Sequence, residues 1–168
     1  MEAHDILDDQ LYNLIFLTNE DKNNLKKIEK LILNGADVNN AIFDKHTGCM
    51  EVILSIVIDN LHNSSSGKIT DYYANVAELL LKHGARVDSV DDDPDCDCLS
   101  ALDNLILLGG KYGLNQNTYR LAKIMITSLN DKDMKHYLIH HRNLKTFTGL
   151  QNILKEFCRY DKYIEYMF

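Results

Sequence analysis

The phrase Asn34-Gly35-Ala36-Asp37-Val38-Asn39 returns later in the chain as His83-Gly84-Ala85-Arg86-Val87-Asp88. Each copy follows directly on an apolar run, Ile28-Glu29-Lys30-Leu31-Ile32-Leu33 the first time and Ala77-Glu78-Leu79-Leu80-Leu81-Lys82 the second. A helix that ends twice in the same Gly-Ala turn marks a chain of stacked structural repeats, since one such unit cannot bury its apolar face alone. Glycine just past a helix end supplies a positive φ at no steric cost, so Gly35 and Gly84 are expected in the left-handed conformation. Repeat stacks present long binding surfaces rather than clefts. Binding is therefore the first functional expectation, and chemistry needs evidence of its own.

Apolar periodicity places the remaining elements. A helix is expected over 8–17, capped by Asp8 or Asp9, with Leu7, Leu11, Leu14 and Ile15 on one face. After a polar break at 18–24, Leu25–Leu33 reads as the next helix, and 36–47 as a projecting finger. An inner helix is expected from Gly48 to Ile58, with Met50, Ile53, Leu54 and Val57 apolar. Residues 60–68, rich in Ser, Asn and Gly, read as a loop. Thr70–His83 is the next helix, 85–98 a second finger, and Leu102–Leu108 a helix closed by Gly109-Gly110. A second enlarged loop covers 111–117. Helices follow over Thr118–Leu129 (Leu121, Ala122, Ile124, Met125 and Ile126 apolar) and near 132–141 and 148–159. Leu31, Ile32, Leu79, Leu80 and Leu102 are all expected buried between adjacent hairpins.

The outer helix with its Gly-Ala-Asp-Val-Asn turn resembles the ankyrin repeat. Leu99-Ser100-Ala101-Leu102-Asp103 stands where that family has its T-P-L-H opening, with Ser100 as the hydroxyl and Leu102 as the buried leucine. One repeat earlier, Gly48-Cys49-Met50-Glu51 keeps only the apolar third position, and neither copy has the Pro or the His. The resemblance implies an all-α, ankyrin-like solenoid of about four helical hairpins with short finger loops. It implies one domain over 1–168, with recognisable repeats over about 8–130 and a divergent helical cap at 131–168. The two phrase glycines are 49 residues apart (84 − 35), against about 33 in an ordinary ankyrin repeat. The excess is expected in loops at 61–68 and, beyond the second turn, 109–117.

Composition excludes several function classes. A net charge of −7 gives no lysine and arginine density for a nucleic-acid backbone. No apolar run reaches the 18 or so residues of a membrane span, and the acidic start Met1-Glu2-Ala3-His4-Asp5 is not followed by a signal-peptide core. Of the four cysteines, Cys49, Cys96, Cys98 and Cys158, only Cys96 and Cys98 are close in sequence. C-x-C spacing suits neither an ordinary disulfide nor a metal knuckle. An intracellular, cytoplasmic chain with reduced thiols is the expectation.

No catalytic constellation emerges. Counted as a calcium loop from Asp91, the required Gly and Glu positions are Cys96 and Leu102. His136 and His140 share a helical face, but no H-E-x-x-H is present. The aspartates beside Cys96 and Cys98 disfavour thiolate and hence nucleophilic chemistry. Gly109-Gly110-Lys111-Tyr112-Gly113 lacks P-loop spacing and follows a helix rather than a strand. The chain is accordingly read as non-enzymatic, with no cofactor and no metal.

Irregular repeat length, inserted loops and an Asn/Ile/Asp/Lys-rich composition make the chain similar to the divergent ankyrin proteins of poxviruses, or of other intracellular pathogens. That resemblance implies a factor that captures a host protein to block innate immune signalling or restriction. The alternative is a regulatory or targeting ankyrin fragment of a larger polypeptide, such as a ubiquitin-ligase substrate adaptor or an enzyme-linked domain. In either case the fingers carry the candidate partner-binding residues: Asn40, Phe43, Asp44 and Lys45 on the first, Asp91, Asp92, Asp93 and Asp95 on the second. An aromatic anchor and an acidic tip fit a protein partner with a basic surface. No nucleic-acid or membrane partner is expected.

Overall fold

Both repeat glycines close their helices in the left-handed conformation, Gly35 at φ 106° and Gly84 at φ 88°. The hydrogen bonds around them are also duplicated. The amides of Gly35 and Ala36 donate to the carbonyls of Ile32 and Leu31, at 3.0 and 3.1 Å. Those of Gly84 and Ala85 donate to Leu81 and Leu80, at 3.1 and 3.0 Å. Each turn is thus a Schellman closure, which satisfies carbonyls that a helix end leaves open. The Ala and Val of each phrase (Ala36 and Val38, Ala85 and Val87) are buried, so the phrase is as much a packing element as a turn.

A computed structural model describes residues 3–16, 22–43, 50–63, 67–88, 100–112 and 116–141. Among these it has seven helices and one small two-stranded sheet, a mostly helical architecture consistent with the expected all-α class. It divides into two compact units, Met1–Ala101 and Leu102–Phe168.

In the first unit, α1 (Ala3–Phe16) packs on α2 (Lys22–Leu33), and α3 (Ile53–Asn63) packs on α4 (Gly67–Lys82). The two helices that end in the repeated turn, α2 and α4, also touch each other. Leu11, Ile15, Ile28, Ile53, Leu54, Ile58 and Leu80 are fully buried. The tyrosines at the start of α4 are buried too. Tyr72 donates a long bond to the Ile15 carbonyl (3.4 Å), and the Tyr73 ring lies against Phe16 with centroids 6.4 Å apart.

Several expectations are corrected here. Helix α1 begins at Ala3, so Asp8 is an interior helical residue and not a cap. Helix α2 begins at Lys22. Met50-Glu51-Val52 forms a strand, β2, which pairs antiparallel with β1 (Ala41–Phe43) in the register Ala41↔Val52, Ile42↔Glu51, Phe43↔Met50. The finger is therefore a β-hairpin, and the inner helix starts only at Ile53. The expected loop at 61–68 is largely helix. Helix α3 runs to Asn63 and α4 begins at Gly67, because Leu54, Val57, Ile58 and Leu61 carry one buried helical stripe past the polar residues. The 49-residue spacing is thus taken up substantially by longer helices. Leu31, Ile32 and Leu79 are half-buried; only Leu80 and Leu102 of the five named leucine and isoleucine positions are fully so.

The second unit contains α5 (Ala101–Tyr112) from its second residue onward, α6 (Gln116–Ser128) and α7 (Asp131–His141). Helix α5 passes through Gly109 and Gly110, which were expected to end it. Each interior glycine costs about 1 kcal/mol relative to alanine, a cost set against the burial of Leu102, Leu105 and Ile106 on the same helix. Most of the expected loop at 109–117 is thereby helical. Leu121, Ala122, Met125 and Ile126 of α6 are buried as its periodicity requires, while Ile124 is half-buried. Asn130 caps α7: its Oδ1 accepts from the amides of Lys132 and Asp133 (2.9 and 3.0 Å), and its Nδ2 donates to the Asp133 carboxylate (2.6 Å). The Tyr137 hydroxyl donates to the buried Asp103 carboxylate and ties α7 to α5. The helix expected at 148–159 lies outside the described residues.

Candidate functional site

The finger is built from the first repeated phrase outward. Past Gly35 the chain turns through Asp37-Val38-Asn39-Asn40, with the Asn40 amide donating to the Asp37 carbonyl at 3.3 Å, and then enters β1. This turn is held from both sides by side chains. On one side, the Asp37 amide donates to Oδ1 of Asp8 on α1, at 2.7 Å. Within the turn, the Asn39 amide donates to Oδ1 of Asp37, at 2.8 Å. On the other side, Asn39 reaches the second phrase with both ends of its amide. Its Oδ1 accepts from the Arg86 amide at 2.7 Å, and its Nδ2 donates to the Gly84 carbonyl at 3.2 Å.

The same backbone amide, the fourth of each phrase, is therefore satisfied each time by a side chain from the preceding segment: Asp37 by Asp8, Arg86 by Asn39. The result is a relay from α1 through the first turn to the second. A second tie joins the two outer helices. Lys82 Nζ lies 2.7 Å from Glu29 Oε1, and His83 Nε2 lies 3.6 Å from the same oxygen. The hydrogen bond and charge of Lys82, opposed by partial desolvation and helped by His83, hold the Glu29 carboxyl below its ordinary range. These ties fix where the hairpin stands relative to α4.

Of the candidate residues, Asn40 is half-buried at the base of the hairpin. Phe43 is the last residue of β1, opposite Met50, which is 41% exposed. Asp44, Lys45, Asp91, Asp92, Asp93 and Asp95 lie outside the described residues, as do Cys96 and Cys98. Just before the acidic run, Asp88 is half-buried with Oδ1 3.7 Å from Arg86 Nε. Among the described residues no group of three or more His, Cys, Asp and Glu could hold a metal ion. No helix among them is long and apolar enough to cross a membrane.

Sequence reasoning missed the residues that position the finger. Asp8 is read as a helix cap from type and place alone, and its partner is 29 residues away. Asn39 did carry a signal. It closes the first phrase where the second has Asp88, and an acceptor kept at one turn position in both copies points to a hydrogen bond. No protein-family model matches this sequence, and no curated protein matches it.

Proposed function

We propose that this chain is a non-enzymatic protein-binding module of ankyrin-like repeat design, and that a partner protein docks on its fingers. The observation that carries the reading is the duplicated unit. Two helical pairs each end in the same Schellman turn, and a side-chain relay sets the first finger at a defined place beside the second outer helix. A hydrogen-bonded base for the finger favours binding, since a base already held in place lowers the ordering cost a partner bears.

The partner is proposed to be a host protein with a basic surface, and the chain a pathogen factor acting in the host cytoplasm. Its composition and degraded repeat motifs support this reading. Phe43 acts as the anchor, with Asn40, Asp44 and Lys45 around it. Asp91, Asp92, Asp93 and Asp95 steer the encounter through a salt-sensitive field. The test is a binding assay with the captured partner on two folded variants, Phe43→Ala and Asp91→Asn/Asp92→Asn/Asp93→Asn. Weaker binding in the first and a flatter salt dependence in the second are expected. Wild-type affinity and salt dependence in both would move the site off the fingers.

A further inference from the structure

Helix α2 carries a charge opposite in sign to the chain it belongs to. Lys26, Lys27 and Lys30 are exposed, and with Asn23 and Leu33 they follow the spacing of a single helical face; Asn24 and Ile28 are buried on the other side. The helix's one acidic residue, Glu29, is engaged by Lys82 across the seam with α4. Among the described residues none of the three lysines has an ion-pair partner. Lys26 and Lys30 are four residues apart and Lys27 and Lys30 three, spacings at which like charges repel and weaken the helix. Leu33, at the end of the stripe, is 71% exposed, the most exposed large apolar side chain among the described residues. Three unpaired cations beside one exposed apolar group, in a chain of net charge −7, describe a surface whose counterpart has three carboxylates beside one apolar group.

The chain contains that counterpart. Val90-Asp91-Asp92-Asp93 places an apolar residue next to three consecutive aspartates, and no Lys or Arg occurs between Asp88 and Asp97. We propose that the exposed face of α2 is a docking surface for the acidic run of a second copy of this chain. The contact joins two different patches, so it is head-to-tail. It rests on the reading of the acidic run as a binding element and adds the chemistry of one partner: a lysine stripe with a terminal leucine. Two copies repel through their net charge. At about 0.1 M salt, where screening acts over about 10 Å, that long-range repulsion is damped while direct lysine–aspartate contacts are retained.

The experiment is sedimentation velocity on the intact chain, up to about 1 mM protein, the range of weak protein contacts. It compares wild type, Lys26→Gln/Lys27→Gln/Lys30→Gln, Asp91→Asn/Asp92→Asn/Asp93→Asn, and a 1:1 mixture of the two variants. Wild type should associate with rising concentration at about 0.1 M salt and return to the mass of a single chain at about 1 M, where the screening length is about 3 Å. Each variant alone should remain a single chain. The mixture should form a dimer and nothing larger, because only one complementary pair of patches survives in it. Circular dichroism of each variant establishes that it is folded. A wild type that stays monomeric throughout, association that survives the lysine changes, or a mixture that fails to pair would each overturn the proposal. The lysine variant retains both fingers. Capture of the finger partner by that variant, with self-association lost, supports two surfaces; a monomeric wild type that still captures its partner overturns self-docking alone.

Discussion

Replacing Asn39 with alanine removes both bonds by which the first repeat turn holds the second: the acceptor for the Arg86 amide and the donor to the Gly84 carbonyl. A hydrogen bond within a folded protein contributes a net of about 0.5–1.5 kcal/mol. Both bonds are solvent-exposed, so the lower part of that range applies and the two together contribute about 1–2 kcal/mol. In a chain of this size that lowers Tm by roughly 2–8 °C. Asn39→Asp separates the two bonds. It keeps an acceptor for Arg86 but loses the donor to Gly84, and should cost about half as much. The residue-level assay is amide hydrogen exchange followed by NMR. Protection of the Arg86 amide should fall about two- to fivefold in Asn39→Ala, the equivalent of about 0.5–1 kcal/mol, and be better retained in Asn39→Asp. If Asn39→Ala leaves both Tm and Arg86 protection unchanged, the relay does not join the two turns.

Three further outcomes follow from the same geometry. Leu80→Ala empties a fully buried position on α4 and should cost about 2–5 kcal/mol in urea unfolding; a change below about 1 kcal/mol would show that the site collapses around the loss. Gly84→Val meets no atom within 4 Å of the added Cβ, so its cost is backbone strain alone, about 1–2 kcal/mol at φ 88°; wild-type stability would refute the left-handed turn. The Glu29 carboxyl is held below its ordinary range, foremost by Lys82, so its contribution is fully present above the unfolded carboxylate pKa and is lost as pH falls through the folded one. The Tm difference between wild type and Glu29→Gln should therefore begin to shrink as pH falls below the unfolded glutamate value, about 4.3, and close once the folded carboxyl is protonated; a difference unchanged by acid would exclude the ion pair as its source.

What the sequence made legible is what local chemistry decides. The two glycine turns needed only Gly35 and Gly84 after an apolar helical run. Leu80 and Leu102 needed only helical spacing, and α6 needed only its stripe. The misplaced boundaries share another cause. Asn60-Leu61-His62-Asn63 looks like loop by residue type, yet the stripe Leu54, Val57, Ile58 and Leu61 continues to Leu61, so packing prevails over propensity. Gly109 and Gly110 fall under the same rule. The strand Met50–Val52 was illegible because a three-residue element shows no period of its own and exists only through pairing with Ala41–Phe43. Of the candidate site, Phe43 was found at the end of a strand, but the side chains that position its hairpin, Asp8 and Asn39, act on partners 29 and 47 residues away. Such distances have no local signature.

The most direct test of finger binding is a backbone-amide NMR titration of the full chain with the captured partner. Binding through the fingers predicts that the largest shift changes fall on Asn40, the hairpin Ala41–Phe43 and Met50–Val52, and the aspartates from Asp91 to Asp95, and that they shrink as salt is raised. Changes confined to α6 and α7, with the hairpin and the acidic run unmoved, would contradict it.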